Sequence, residues 1–156
     1  MPSFKNIEDL IANVNSNINN YMRSEDSELQ REISYLMKEA VEIAVYDVYE
    51  PKVYERREKG GLSDPDNLRL IDAKKMSNRV TSLVFENMTK GNISDYYQEY
   101  IADTIVNGIK SNWLRHGAWS EPRDFVSKLT ELVNQRKPEI NNAIKMDLRK
   151  MGYKVR

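Results

Sequence analysis

The chain has 156 residues, of which 40% are hydrophobic and 31% charged, and its 24 basic and 24 acidic side chains cancel to a net charge of zero. A chain of this size and composition is globular and buries a real core, removing roughly two-thirds of its unfolded surface from water. The charge balance excludes a whole-molecule field for holding nucleic acid, and the absence of cysteine excludes a disulfide, a thiolate nucleophile and a Cys-based zinc site.

The opening MPSFKNIEDL lacks the basic region and apolar run of a signal peptide. No window approaches the ~18 apolar residues that span a bilayer. A soluble protein made in the cytoplasm, with no membrane partner, is expected. Ile7, Leu10, Ile11, Val14, Ile18 and Tyr21 recur at three- and four-residue steps, which predicts a helix over 6–22 capped by Asn6. Its other face carries Asn13, Asn15, Asn17, Asn19 and Asn20, all poor helix formers, so this helix is expected to be stable only when docked.

Ser27 followed by Gln30 reads as a capping box. Ile33, Leu36, Met37, Ala40, Ile43, Ala44 and Val48 then hold helical spacing until Pro51, which biases the preceding residue out of the helix. Residues 25–50 contain eight acidic and two basic side chains, a net charge of −6. From Lys52 the pattern becomes extended, interleaving Lys52, Arg56, Arg57 and Lys59 with Tyr49 and Tyr54. Such an arm has the chemistry of a nucleic-acid contact, cations on phosphates and rings on bases, but Glu55 and Glu58 dilute it to a net charge of +2. A solvated or partner-facing strand is the plainer reading. Gly60-Gly61 lacks the Lys-Ser/Thr of a phosphate loop and reads as the tip of a hairpin or arm. The turn Asp64-Pro65-Asp66-Asn67 follows.

Two short antiparallel strands are predicted at about 68–75 and 79–87. A polar loop around Gly91 comes next, then a short helix capped by Ser94 and holding Tyr97, Ile101 and Ile105, closed by Gly108. Pro122 is placed at the first turn of a helix running to about Gln135, with Phe125, Leu129, Leu132 and Val133 inward. Lys137-Pro138 restarts it as a final helix carrying Ile140, Ala143, Ile144, Met146, Leu148 and Met151, ended by Gly152. From 137 onward six basic groups face two acidic ones, a net of +4. The acidic second helix and this basic end are complementary either between copies or within one subunit. The expected fold is α+β: a small antiparallel sheet packed with long N-terminal helices and a C-terminal helix. It forms one domain over 1–156, helical over 1–50, with an extended arm over 51–67.

His116 is the only histidine. Asp124 and Glu121 lie near it in sequence, but no arrangement positions a substrate or fixes a tautomer, so it reads as a surface or structural residue. No metal-ligand spacing is present. The expectation is a non-enzymatic protein without cofactor or metal. Trp113 and Trp119 bracket a loop and are either core lids or interface anchors.

Several stretches resemble the tail-completion, or head–tail joining, proteins of the neck of long-tailed bacteriophages. They are the arm Tyr46, Tyr49, Pro51, Tyr54, Arg56, Arg57; then Gly61-Leu62 and Asp64–Asn67; the strand pair ending Val84-Phe85-Glu86-Asn87; the short helix leading to Gly108; and the box Pro122-Arg123-Asp124-Phe125. The match covers about residues 40–155. Asn107 replaces a more typical acidic residue, Asp124 a second proline, and the helix over 6–22 is additional. The resemblance implies a structural virion protein whose copies form a ring, six- or twelve-fold, at the head–tail interface. Its partners would be the portal or adaptor on one side and the tail terminator or tail tube on the other, with incidental contact to passing DNA. The expected protein interface, joining these matched residues to the arm cation and the two tryptophans, is Tyr49, Lys52, Tyr54, Arg56, Arg57, Leu62, Trp113, Trp119, Arg123 and Phe125. The alternatives are a neighbouring neck layer, the portal adaptor or tail terminator, or a small nucleic-acid-binding module.

Overall fold

The structure is a computed structural model and describes residues 6–48, 56–77, 80–91, 101–108 and 121–155. It is an α+β fold with a two-stranded antiparallel sheet. The helices are α1 (Ile7–Met22), α2 (Glu28–Val41), α3 (Ala102–Asn107), α4 (Phe125–Gln135) and α5 (Lys137–Lys150). The strands are β1 (Leu68–Ser77) and β2 (Val80–Asn87).

Helix α2 is the central element, because α1, α4, α5 and β1 all pack on it. It buries Leu29, Ile33, Leu36, Met37, Ala40 and Val41, the larger of these contributing about 1.5–3 kcal/mol each through removal of apolar surface from water. Phe125 and Leu132 from α4, Ile105 from α3, and Leu68 and Leu70 from β1 complete the same core. The final turn departs from the expected helix. Glu42–Tyr46 is a π-helical segment in which the Asp47 N–H reaches the Glu42 carbonyl at 2.8 Å. The wider turn shifts the apolar phase. Val45 goes inward, while Ile43 and Val48, expected inward from their spacing, are exposed.

The N-terminus of α2 is capped twice. Ser27 accepts from the Gln30 N–H at 3.1 Å, as its spacing predicts. Its hydroxyl in turn donates to Asp147 of α5 at 2.9 Å, and the same carboxylate accepts the backbone N–H groups of Glu28 (2.7 Å) and Leu29 (3.0 Å). Asp147 is fully buried. A carboxylate there satisfies orphan N–H groups and meets the positive end of the helix dipole. Met146, expected inward, is exposed, and the inward position of that turn belongs to Asp147.

Gln30 does not close the second half of a capping box. Its side-chain amide donates to the Leu68 carbonyl at 2.7 Å and accepts from the Leu70 N–H at 3.0 Å. It therefore acts as one rung of a third strand on the edge of β1, which would otherwise present unpaired groups. The β1–β2 register pairs Leu68 with Asn87, Arg69 with Glu86 and Leu70 with Phe85, with irregularities after Leu70 and after Lys75. The strands thus form as expected, β1 running slightly longer.

Asp124 is the N-cap of α4, so Pro122 lies before the helix and not in its first turn. Lys137-Pro138 opens α5 as predicted, and Gly108 and Gly152 end α3 and α5 with positive φ. No helix among the described residues is long and apolar enough to cross a membrane.

Candidate interaction surfaces

From Arg56 on, the arm and the turn after it bond to the π segment at one end and to the end of β2 at the other. Arg56 stacks its guanidinium over the Tyr46 ring, 4.6 Å from the centroid, and donates to the Tyr46 carbonyl at 2.8 Å. Arg57 donates to the Lys90 carbonyl at 2.8 Å. These two cations of the expected interface bond to this chain's own backbone. Each is a charge-assisted bond to a carbonyl, stronger than a neutral pair.

Gly60-Gly61 is not an outward tip. Gly61 is buried, and its carbonyl accepts from the Asp64 N–H (3.2 Å), the Asn67 amide (2.7 Å) and the Thr89 hydroxyl (3.1 Å). Asp64 folds back to accept the Gly60 N–H at 2.6 Å. Asn87, from the end of β2, donates to the Leu62 carbonyl at 2.9 Å. Buried polar groups at this density are stable only when each finds a partner, and no side-chain N or O atom described as buried lacks one. The turn is therefore a polar knot pinned to the sheet.

Leu62 is 4% and Phe125 1% exposed, so both belong to the subunit core and neither is offered to a neighbour in this fold. Their apolar character, read as interface chemistry, serves intramolecular packing. Arg123 is half-buried and its N–H reaches the Ile105 carbonyl at 2.9 Å, which ties the box before α4 to α3. Tyr49, Lys52, Tyr54, Trp113 and Trp119 lie outside the described residues, as do His116, Ser94 and Tyr97.

Part of the complementary charge is spent inside the subunit. Lys150 of α5 donates to Glu28 of α2 at 2.9 Å, and Arg136, just before α5, meets Glu39 at 2.7 Å. The Lys150 bond holds the Glu28 carboxyl below its ordinary value, and Glu28 holds the Lys150 ammonium above its own. Asp124, a sequence neighbour of the lone histidine, accepts the Ser127 hydroxyl (2.6 Å) and N–H (2.9 Å). The Ser127 hydroxyl bond keeps its carboxyl below the usual range. That is a capping geometry.

A shallow cleft of about 390 Å³ lies between the start of α2 and β1, bordered by Glu25, Arg31, Tyr35, Asp66 and Arg69. Its two arginines are engaged, Arg31 with Glu28 at 3.1 Å and Arg69 with Glu25 at 4.0 Å. Among the described residues no group of His, Cys, Asp or Glu is gathered closely enough to hold a metal ion.

Among the described residues, α1 carries several of the exposed large hydrophobic side chains. Ile7 is 64%, Ile11 47% and Leu10 38% exposed, and within the helix only Met22 is buried. The residues that reasoning from spacing missed are Asp147 and Gln30, polar side chains whose partners lie 118–120 and 38–40 positions away. A single sequence carries no periodic signal for such pairings.

The YomN family model matches residues 6–150. The chain belongs to the YomN family. That family carries a phage-derived name. No curated protein and no solved structure matches the chain. The family match begins at the cap of α1 and ends at the last residue of α5, so the exposed first helix lies within the family's own span.

Proposed function

We propose that this YomN-family protein is a structural component of the phage neck, whose copies form a ring joining the portal or its adaptor to the tail tube. The family match over residues 6–150 carries the phage part of this reading. The neck part rests on the resemblance of residues 40–155 to tail-completion proteins. Its landmarks occupy the corresponding elements: the Asp64–Asn67 turn leads into β1, Val84–Asn87 ends β2, and the Pro122–Phe125 box opens α4.

The nucleic-acid module is the weaker reading, because Arg56 and Arg57 donate to this chain's own carbonyls. Phosphate binding there would compete with those bonds for the same guanidinium groups. A direct test is to delete the gene in a propagating phage and image the products. Filled heads and separate tails are expected, with particles restored by the gene in trans. Labelled protein on complemented virions should lie at the head–tail junction, its height separating the tail-completion layer from the adaptor and terminator layers. Intact infectious virions from the deletion would overturn the proposal.

A further inference from the structure

We propose that Asn107-Gly108 is a site of spontaneous hydrolytic deamidation, at which the folded chain converts Asn107 into isoaspartate and aspartate. Asn107 is the only asparagine followed by glycine in the sequence. Glycine has no Cβ to shield its backbone nitrogen from the side chain before it. The fold adds to what the dipeptide offers. Asn107 is the last residue of α3, and its side chain is exposed to water. Gly108 leaves the helix at φ 70° and ψ 166°, a conformation open essentially to glycine alone. The residue that the turn requires is thus the one that bares the nitrogen. Among the described residues the Gly108 N–H has no hydrogen-bond acceptor. Turning this peptide so that the nitrogen faces the Asn107 side chain therefore breaks no bond of that nitrogen. The ties of α3 lie earlier, where the Ile101 N–H meets the Thr89 carbonyl and the Ile105 carbonyl meets the Arg123 N–H, each at 2.9 Å. The Asn107 amide is held by one exposed bond, to the Asp103 carbonyl at 3.0 Å, and helix ends open at little cost.

The step needs only water. The Gly108 nitrogen loses its proton to hydroxide and attacks the side-chain carbonyl carbon of Asn107. The new N–C bond closes a five-membered succinimide. The bond from that carbon to the side-chain nitrogen breaks, and the nitrogen takes up a proton and leaves as ammonia. Water then adds to either ring carbonyl. One opening restores the ordinary backbone as aspartate, and the other routes the backbone through the side chain as isoaspartate. One water is consumed and one ammonia released, with no change of oxidation state. The 24 basic groups then face 25 acidic ones in place of 24, and the net charge passes from zero to −1. The new carboxylate cannot donate to the Asp103 carbonyl. It lies four residues from the Asp103 carboxylate, at the negative end of the helix dipole, and both placements disfavour the last turn of α3. Asn15 before Ser16 and Asn142 before Ala143 also precede small residues, but they lie inside α1 and α5, where the following N–H belongs to the helix ladder.

The test incubates the full chain at neutral and at mildly alkaline pH, then digests it and maps the peptides by mass. The peptide carrying Asn107 should gain one mass unit and resolve into two chromatographic species, faster at the higher pH because the attacking nitrogen must be deprotonated. Peptides carrying Asn15 and Asn142 should stay unchanged in the folded chain. Asn107→Gln, which would need a six-membered ring, should stay unmodified, lack the acidic species on ion exchange and melt like the parent. The rate at Asn107 in the folded chain should lie within about tenfold of the rate in urea, because the helix end opens locally at little cost. A folded chain slower than the unfolded one by more than about tenfold, or one that reacts as fast at Asn15 or Asn142, would overturn the inference.

Discussion

Asp147 illustrates how one side chain can determine the docking of two helices. Its carboxylate accepts three bonds from the first turn of α2 while fully buried. Asp147→Ala would leave two backbone N–H groups without partners and remove the acceptor of the Ser27 hydroxyl proton, each unsatisfied donor costing about 1–3 kcal/mol. We therefore expect a loss of at least about 2 kcal/mol in urea denaturation. Ser27→Ala, which removes the hydroxyl but leaves Asp147 on the backbone, should cost about 1 kcal/mol. Equal losses would mean that Asp147 contributes little beyond the serine. The adjacent glycines predict a second contrast. Gly60 has φ 72° and open space where a Cβ would go, so Gly60→Ala costs only the left-handed conformation, about 1–2 kcal/mol. A Cβ on Gly61 would run into the Arg57 carbonyl oxygen, a backbone atom held by the turn, so Gly61→Ala should be the more damaging change by thermal melting. Asp147 and the Gly61 contact were both invisible beforehand, because each depends on a chain approach that no local pattern encodes.

At the scale of elements, helices and strands were readable wherever a periodic apolar pattern met a capping residue. Asn6, Ser27, Gly108 and Gly152 mark their boundaries as expected, and the strand pair falls on its predicted residues. The phase of an element was readable only while its geometry stayed ideal. Once α2 widens into the π segment, Val45 replaces Ile43 and Val48 in the core. The contact between α2 and α5 also carries a pH dependence. Glu28 and Asp124 have lowered carboxyl values, so their stabilisation is complete above the ordinary carboxylate range and is lost as pH falls through the lowered values. Lys150 is raised, so its contribution is complete below the ordinary lysine value and is lost as pH rises through the raised one. The urea midpoint should therefore be flat from about pH 6 to 9 and decline outside that window. Lys150→Met should reduce the acid dependence assigned to Glu28 while leaving that of Asp124.

For the whole molecule, the question is where a neutral chain spends its charge. The acidic residues around α2 and the basic end were complementary on paper, either between copies or within one. Of the basic end, Lys150 pairs with Glu28 inside the subunit, and Arg136 just before it pairs with Glu39; Arg56 and Arg57 are likewise bonded to intramolecular carbonyls. What α1 leaves exposed carries Ile7, Leu10 and Ile11 beside the carboxylates of Glu8 and Asp9 and no cation, which does not suit phosphate. This leads to a prediction that separates the readings of the arm. If Arg56 and Arg57 hold the chain together, the double substitution Arg56→Gln with Arg57→Gln should lower the melting temperature by several degrees, about 1–3 kcal/mol in total. Filter retention of double-stranded DNA should then be weak for both proteins at low salt. If instead the pair contacts phosphates, the parent chain should retain DNA strongly at low salt and lose it steeply as salt rises, because bound cations displace counterions from the duplex. In that case the double variant should flatten the slope with little effect on melting. A steep slope in the parent that the variant abolishes would move the arm from a structural element to a nucleic-acid contact and take the neck proposal's weaker competitor with it into first place.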